Sequence, residues 1–309
     1  MKTDKLLKEI YFNPKHIGSF GGPHRLSAAT GVSLKDAVTF LQHYETYTTN
    51  KSVKHKFFRR KMTSHEVDYC WQADLIDISK YSRLNKGTKY LLTVIDTLSR
   101  FAFVKPLRKK DGKSVTESFK ELILNSNRKP KFIQTDEGKE FFNKQFYNLL
   151  KEQDIKLFHN HSPLKAAMVE RFNRTLMTRL QKVFTYRKTN VYYDILQEVV
   201  DSYNESKHRI IECSPRSVNK YNQMDVWFRS NKDVLMMKHQ KPKLKSGDFV
   251  RIKINKALFR KGYSPTFTDE IYKISETHNS KPMTYSIMDN SGEKVLGIFY
   301  PQELSKVLT

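Results

Sequence analysis

The stretch Tyr69–Ser79, YCWQADLIDIS, decides how this chain is read. Trp71, Leu75, Ile76 and Ile78 give it the apolar density of a strand that joins a core. Asp74 lies in its middle, and an unpaired carboxylate in such a strand is costly to bury. Two more short runs follow, KYLLTVIDTLS (89–99) and RFAFVKPL (100–107), separated from the first by the turn material KYSRLNKG. Three neighbouring strands with short links predict an antiparallel meander. Next, KSVTESFKELILNS (113–126) has helical period, with Val115, Phe119, Leu122 and Ile123 on one face. KFIQTD (131–136) reads as a buried strand, NKQFYNLLKEQ (143–153) as a helix and IKLFHN (155–160) as a further strand.

Two helices complete this region. Ser162 and Pro163 look like a cap and first helical position. Behind them Ala166, Val169, Phe172, Leu176, Leu180 and Val183 recur on one face. YYDILQEVVDSYNES (192–206) supplies the second. The order β-β-β-α-β-α-β-α-α implies an α/β fold, a mixed sheet with helices on its faces.

Charge narrows the partners. Among 309 residues, 56 Lys and Arg stand against 32 Asp and Glu, a formal net charge of +24. Such a field attracts polyanions, and nucleic acid is the obvious one. An anionic membrane would call for an apolar anchor or a basic amphipathic helix, and neither is evident. No run is long enough for a membrane span, and MKTDKLLKEI lacks a signal-peptide core. Cys70 and Cys213 form no CxxC pair, so neither a zinc site nor a disulfide framework is expected. A reducing compartment, cytosol or nucleus, suits that usage.

The flanks differ in texture. SFGGPHRLSAATGVSLKDAVTFLQHY (19–44) reads as a helix over 24–29, a break at Thr30-Gly31 and a helix over 34–43 capped by Ser33. That is the outline of a helix-turn-helix. The basic stretch after it holds Arg59, Arg60 and Lys61 beside Phe57 and Phe58, read as a solvated linker, a phosphate-tracking arm or a nuclear-import signal. At the other end KHQKPKLK (238–245) marks a boundary. Beyond it GDFVRIKI, EIYKISETH, MTYSIMD and LGIFYPQEL have the pattern of a small β-barrel. The division expected is 1–66, 67–237 and 238–309.

Three acids have contexts that belong together: Asp74 within a first strand, Asp136 at the end of a later one, and Glu170 in the first turns of a helix. Carboxylates so placed converge at one edge of a mixed sheet and suit hard cations such as Mg²⁺ or Mn²⁺. Two such ions about 4 Å apart activate a nucleophile and stabilise a leaving oxygen in phosphoryl transfer. Each acid taken singly has a structural reading as well. Glu140 reads as a further acidic neighbour beside the site, and His159 and His161 are open between structure and function.

WQADLID, QTDEGKEF and KAAMVERFNRTL resemble the three blocks of the retroviral-type integrase catalytic core, an RNase H-like fold. By motif Asp74, Asp136 and Glu170 match that family's Asp, Asp, Glu triad. The 34 positions between the last two fall just short of the usual retroviral interval. The resemblance extends outward: YFNPKHIGSFGGPHRLSAA with KFFRRK is similar to integrases of Maverick/Polinton-type DNA transposons and virophages. GDFVRI, FRKGY, EIYKI, TYSI and GIFYPQEL are similar to the SH3-like barrel of those proteins and of gypsy-type integrases. The paired His and Cys of the retroviral N-terminal zinc site are missing, since His16, His24 and His43 have no cysteine nearby.

The resemblance implies a two-metal polynucleotidyl transferase that trims the 3′ ends of a mobile element and joins them to target DNA. It implies double-stranded DNA as partner, a homodimer or tetramer on that DNA, and work in the nucleus or where the element replicates. Residues 170, 173, 174, 177 and 181 share one helix face, so Asn173, Arg174 and the preceding Lys165 become candidate DNA contacts beside the metals. A surface ion pair between Glu170 and Arg174 is the plainer alternative. The competing functions are a host-retained DNA-binding protein without transposition and a plain RNase H-like nuclease.

Overall fold

The computed structural model describes residues 2–53, 56–60, 64–136, 138–159, 166–238, 241–254 and 264–308. They fall into two compact units, Lys61–Leu235 and a second in which Met1–Arg60 and Met236–Thr309 fold together. The segments read as separate first and last modules thus contribute to one body.

In that terminal unit the chain begins with α1 (Lys2–Tyr11), α2 (Pro23–Thr30), α3 (Leu34–Gln42) and the short α4 (Glu45–Thr48). The helix-turn-helix outline is present. α2 stops at Gly31, whose φ of +70° is open to glycine at little cost. Ser33 Oγ accepts from the Asp36 amide at 3.2 Å to start α3. α1, which the sequence reading did not single out, buries Leu7 and Tyr11 against Leu26, Phe40 and Leu41.

The central unit follows the expected order: β1 (Cys70–Asp77), β2 (Tyr90–Asp96), β3 (Ala102–Leu107), α5 (Gly112–Ser126), β4 (Phe132–Thr135), α6 (Lys144–Glu152), β5 (Lys156–His159), α7 (Ala167–Arg187) and α8 (Leu196–Glu205). A further helix, α9 (Gln223–Leu235), closes it. The sheet runs β3-β2-β1-β4-β5, antiparallel through β1 and parallel from β1 to β5. Strand period sorts the side chains: Trp71 and Ala73 join Val115, Phe119 and Phe146 of α5 and α6, while Ile76 and Leu91 join Val169, Phe172 and Leu176 of α7. Gln72 and Asp74 therefore lie on the α7 side. Each fully buried Leu or Phe of the α7 stripe stabilises by roughly 1.5–3 kcal/mol. The stripe ends on Phe184, four residues past Leu180, and Val183 is only partly covered.

The outer edge of β3 is closed by a side chain. Asn204 of α8 accepts from the Ala102 amide at 2.8 Å and donates to the Ala102 carbonyl at 2.9 Å, all of it buried. Asn204→Leu leaves both backbone groups unpaired, and we expect a loss of about 2–4 kcal/mol. The measurement is urea unfolding, with a lowered midpoint at unchanged slope; a loss below about 1 kcal/mol would mean the edge is satisfied otherwise.

The second sheet, in the terminal unit, contains β6 (Phe249–Ile252), β7 (Tyr272–His278), β8 (Thr284–Met288) and β9 (Leu304–Val307) in the order β8-β7-β6-β9, all antiparallel. LGIFYPQEL is not the last strand. Phe299 makes only a bridge to Tyr285, Gly297 sits at φ +111°, and Pro301–Glu303 forms a 3-10 turn, so pairing resumes at Leu304. The FRKGY segment lies outside the described residues. Arg251 of β6 is buried and donates from Nε to Thr48 Oγ1 at 3.1 Å and from Nη1 to the Thr268 carbonyl at 3.0 Å. The Thr49 carbonyl accepts the amides of Thr266 and Phe267 at 2.9 and 3.0 Å, tying the helical part to the sheet. Among the described residues no helix is long and apolar enough to cross a membrane.

Candidate active site

Asp74 stands where β1 begins to emerge from the core, half-buried on the α7 side. Its Oδ1 accepts from the Leu75 amide at 2.8 Å and its Oδ2 from Asn173 Nδ2, also at 2.8 Å. Burial pushes its pKa above the usual carboxylate range. The Leu75 hydrogen bond opposes that, the charges of Asp136 and Glu170 add to it, and Lys110 offsets part. β1, β4 and α7 thus place Asp136 and Glu170 where their charges act on Asp74. Asp136 and Glu170 are themselves exposed.

Asp136 follows the last residue of β4, in a turn whose geometry the sequence dictates. Its Oδ1 accepts from the Gly138 amide at 3.2 Å. A Cβ at Gly138 would lie 2.6 Å from the Glu140 carboxyl, so a larger residue there would have to displace that side chain. Glu140 is 7% exposed and pairs with Lys110 Nζ at 2.9 Å. Its carboxyl lies against Gly138 of the Asp136 turn. The Lys110 pKa is raised chiefly by Glu140, with Asp136 contributing. Lys110 was not legible as a site residue, since it sits in the basic run RKKDGK that any solvated loop could carry.

Glu170 lies in the first turn of α7. Ser162 and Pro163, read as its cap and first position, fall outside the described residues, as do Lys165 and His161; the N-cap is Ala166, with no side-chain bond of its own. The cap comes from β1 instead. Gln72 Oε1 accepts the amides of Met168 and Val169 at 3.0 and 3.1 Å, and Gln72 Nε2 donates to Gln134 Oε1 at 2.9 Å. The signal that could have flagged both glutamines is their place: each is a polar residue in a buried strand, two before Asp74 or Asp136.

Asn173, a candidate DNA contact, is turned to Asp74; its Oδ1 is buried and unpartnered. Among the described residues Arg174 forms no ion pair with Glu170. Arg174 lines an open groove of about 630 Å³ with Lys80, Tyr81, Met177, Lys182 and Tyr186. Arg59 is part of the terminal unit, its guanidinium 3.2 Å from Glu303 and stacked 3.8 Å over Phe57. The Arg60 side chain is exposed while its amide donates to Tyr300 Oη at 2.8 Å, and Lys61 lies outside the described residues. His159 ends β5 in register with Thr135.

A five-stranded mixed sheet carrying acids on β1, after β4 and on the following helix is the plan of an integrase core. Residues 64–162 match the family model described as "Integrase core domain". The chain is 36% identical over 200 residues to a transposon-derived protein of Caenorhabditis elegans, covering 65% of this chain and 67% of that protein. It belongs to the retroviral-type integrase family. It is 30% identical over 115 residues to the Pol polyprotein of feline endogenous virus ECE1 and 28% over 125 residues to that of a radiation murine leukemia virus. Those matches span only 11% and 21% of the polyproteins. In fold it is similar to a chain of the simian T-cell lymphotropic virus intasome solved with PP2A regulatory subunit B56 gamma. The TM-score is 0.64 at 16% identity, over 94% of this chain and 96% of that one.

Proposed function

We propose that this chain is a DNA integrase or transposase, a polynucleotidyl transferase that trims the 3′ ends of a mobile element and joins them to target DNA. The observation that carries the reading is the placement of the acids on an integrase-type sheet: Asp74 on β1, Asp136 directly after the neighbouring β4, and Glu170 in the first turn of α7. Among the described residues no three such side chains stand arranged around a single point as a ligand set. The donor chemistry nonetheless fits a hard cation: a half-buried Asp74 carboxylate whose ionised form the charges of Asp136 and Glu170 disfavour, beside an unpartnered Asn173 oxygen. Asp74, Asp136 and Glu170 would hold Mg²⁺ or Mn²⁺, as a pair of ions. Bound there, such ions supply Lewis-acid activation of the attacking and leaving oxygens.

The chain's own groups do the rest. Asn173 holds the Asp74 carboxylate by its Oδ2. Arg174, Lys80 and Lys182 offer three cations along the groove that starts one turn beyond Glu170, suited to phosphates of duplex DNA. The reading extends to an integrase of the Maverick/Polinton and virophage kind, to an SH3-like role for the second sheet, to a dimer or tetramer on DNA, and to work in the nucleus.

The test is the purified chain with Mg²⁺ or Mn²⁺ and labelled duplexes carrying candidate element ends. Joined products, absent with Asp136→Asn, are the expected result. Binding without chemistry would instead favour a host-retained DNA-binding protein, and cleavage without joining a plain nuclease.

A further inference from the structure

We propose that Gln72 and Gln134 are positioning residues, a buried amide pair that fixes the three carboxylate-bearing elements against one another. This rests on the reading of the acids as a metal-binding active site. The pair stands at one register position of the parallel β1–β4 ladder, Gln72 opposite Gln134. Each precedes its aspartate by two residues, so by strand period Gln72 and Asp74 share a face of β1. Both glutamines are almost sealed from solvent, at 2% and 1% exposure.

The third link is the helix. The first amides of an α-helix have no partner within it, and a side chain just before the helix normally accepts from the second or third. The N-cap of α7, Ala166, has no side-chain acceptor to offer; the second and third amides, Met168 and Val169, both donate to Gln72 Oε1. The next residue is Glu170. Gln72 therefore caps in trans, from a strand residue 96 and 97 positions before the amides it holds.

Amide chemistry fixes the direction of the chain of bonds. Two N–H donors on one side force Gln72 to present its oxygen there. Its nitrogen must then face β4, and Gln134 must answer with oxygen, as it does at 2.9 Å. Gln134 in this way prevents Gln72 from flipping and presenting N–H groups to N–H groups. Asp74, Asp136 and Glu170 are thereby referred to one rigid unit, whereas Asp136 and Glu170 would otherwise depend on a turn and a helix end. Gln72 is buried and does not touch substrate, so its loss falls on the placement of the acids and leaves the DNA-binding surface intact.

The experiment uses the full chain and three readouts. In metal-free protein, hydrogen exchange at Met168 and Val169 is expected to speed up at least tenfold with Gln72→Met, and less with Gln134→Met. Gln72→Glu keeps the acceptor, lets the Gln134 amide turn to donate, and is expected to restore protection. Mn²⁺ affinity is expected to drop about 10- to 100-fold in Gln72→Met, the range seen when groups that orient metal ligands are removed. In strand joining, kcat falls with KM for DNA within about twofold, the signature of lost placement and not lost binding. Asn204→Leu, which breaks a buried amide contact at the β3 edge, is the stability control and keeps kcat. Wild-type exchange and Mn²⁺ affinity in Gln72→Met would overturn the proposal, as would an equal kcat loss in Asn204→Leu. A wild-type chain that binds no Mn²⁺ overturns the metal-site reading itself, and the exchange result then still decides whether Gln72 caps α7.

Discussion

Asp74→Asn is expected to abolish DNA joining, by about a thousandfold or more, while making the metal-free protein more stable. Both effects come from one cause. Burial and the charges of Asp136 and Glu170 hold the Asp74 pKa above its ordinary value, so the folded state disfavours the ionised form. The folded state then binds a proton that the unfolded chain has already released. Stability from this group is present below the ordinary carboxylate pKa and is lost as pH rises through the elevated one. An amide at 74 suffers no such loss. Its advantage over wild type in thermal unfolding should be absent at low pH, grow through the mildly acidic range, and level off near neutrality. The new amide's N–H stands where Oδ2 accepted from Asn173, and is answered once the Asn173 amide turns to present Oδ1.

Mn²⁺ should reverse the order. An ion that binds only the folded protein stabilises it in proportion to the logarithm of its concentration over Kd, and the variant lacks a ligand for it. A variant less stable than wild type without metal, or still able to join DNA, would remove Asp74 from the site.

How much of this was legible follows from the range of each signal. The central sheet and its helices were readable because strand and helix periods are local: Val115, Phe119, Leu122 and Ile123 fall on one face of α5 and all four are buried. Asp74 stood out as a candidate because a carboxylate inside an apolar strand is conspicuous, and the family motifs set Asp136 and Glu170 beside it as candidates. What was missed is non-local or needs a partner. A window around Ser162 suggests a local cap, but no window around α7 contains Gln72. The basic run near Arg59 left a solvated linker and a phosphate-tracking arm both open; the Arg59 contact with Glu303, which joins residues far apart in the chain, was not readable from it. In LGIFYPQEL the apolar pattern favoured a strand, and Gly297 and Pro301 overrode it by backbone geometry.

A second non-local contact carries the largest stability effect expected in the central unit. Asn85 follows the 3-10 turn Ser79–Leu84 that leaves β1, and it is fully buried. Its Nδ2 donates to the carbonyls of Tyr81 at 2.8 Å and Asn190 at 3.0 Å. Its Oδ1 accepts the amides of Tyr192 and Tyr193 at 2.8 and 3.1 Å. Every donor and acceptor site of the amide is used. It clasps the loop beyond the Asp74 strand to the segment beyond the Glu170 helix, at the ends remote from the acids. Asn85→Ala strands two N–H and two C=O groups with no room for each to find water, and we expect a loss of about 3–5 kcal/mol. Asn85→Asp should cost comparably, because a carboxylate satisfies the two amides but faces two carbonyls with no proton to offer. Urea unfolding checks both, as a fall in midpoint at constant slope. The pair is more informative than either alone. If the aspartate variant were near wild type, the tyrosine amides would be the whole of the clasp and the carbonyl contacts incidental. If both fall together, the clasp needs a donor and an acceptor at one buried point, which among the common side chains only asparagine supplies at this length.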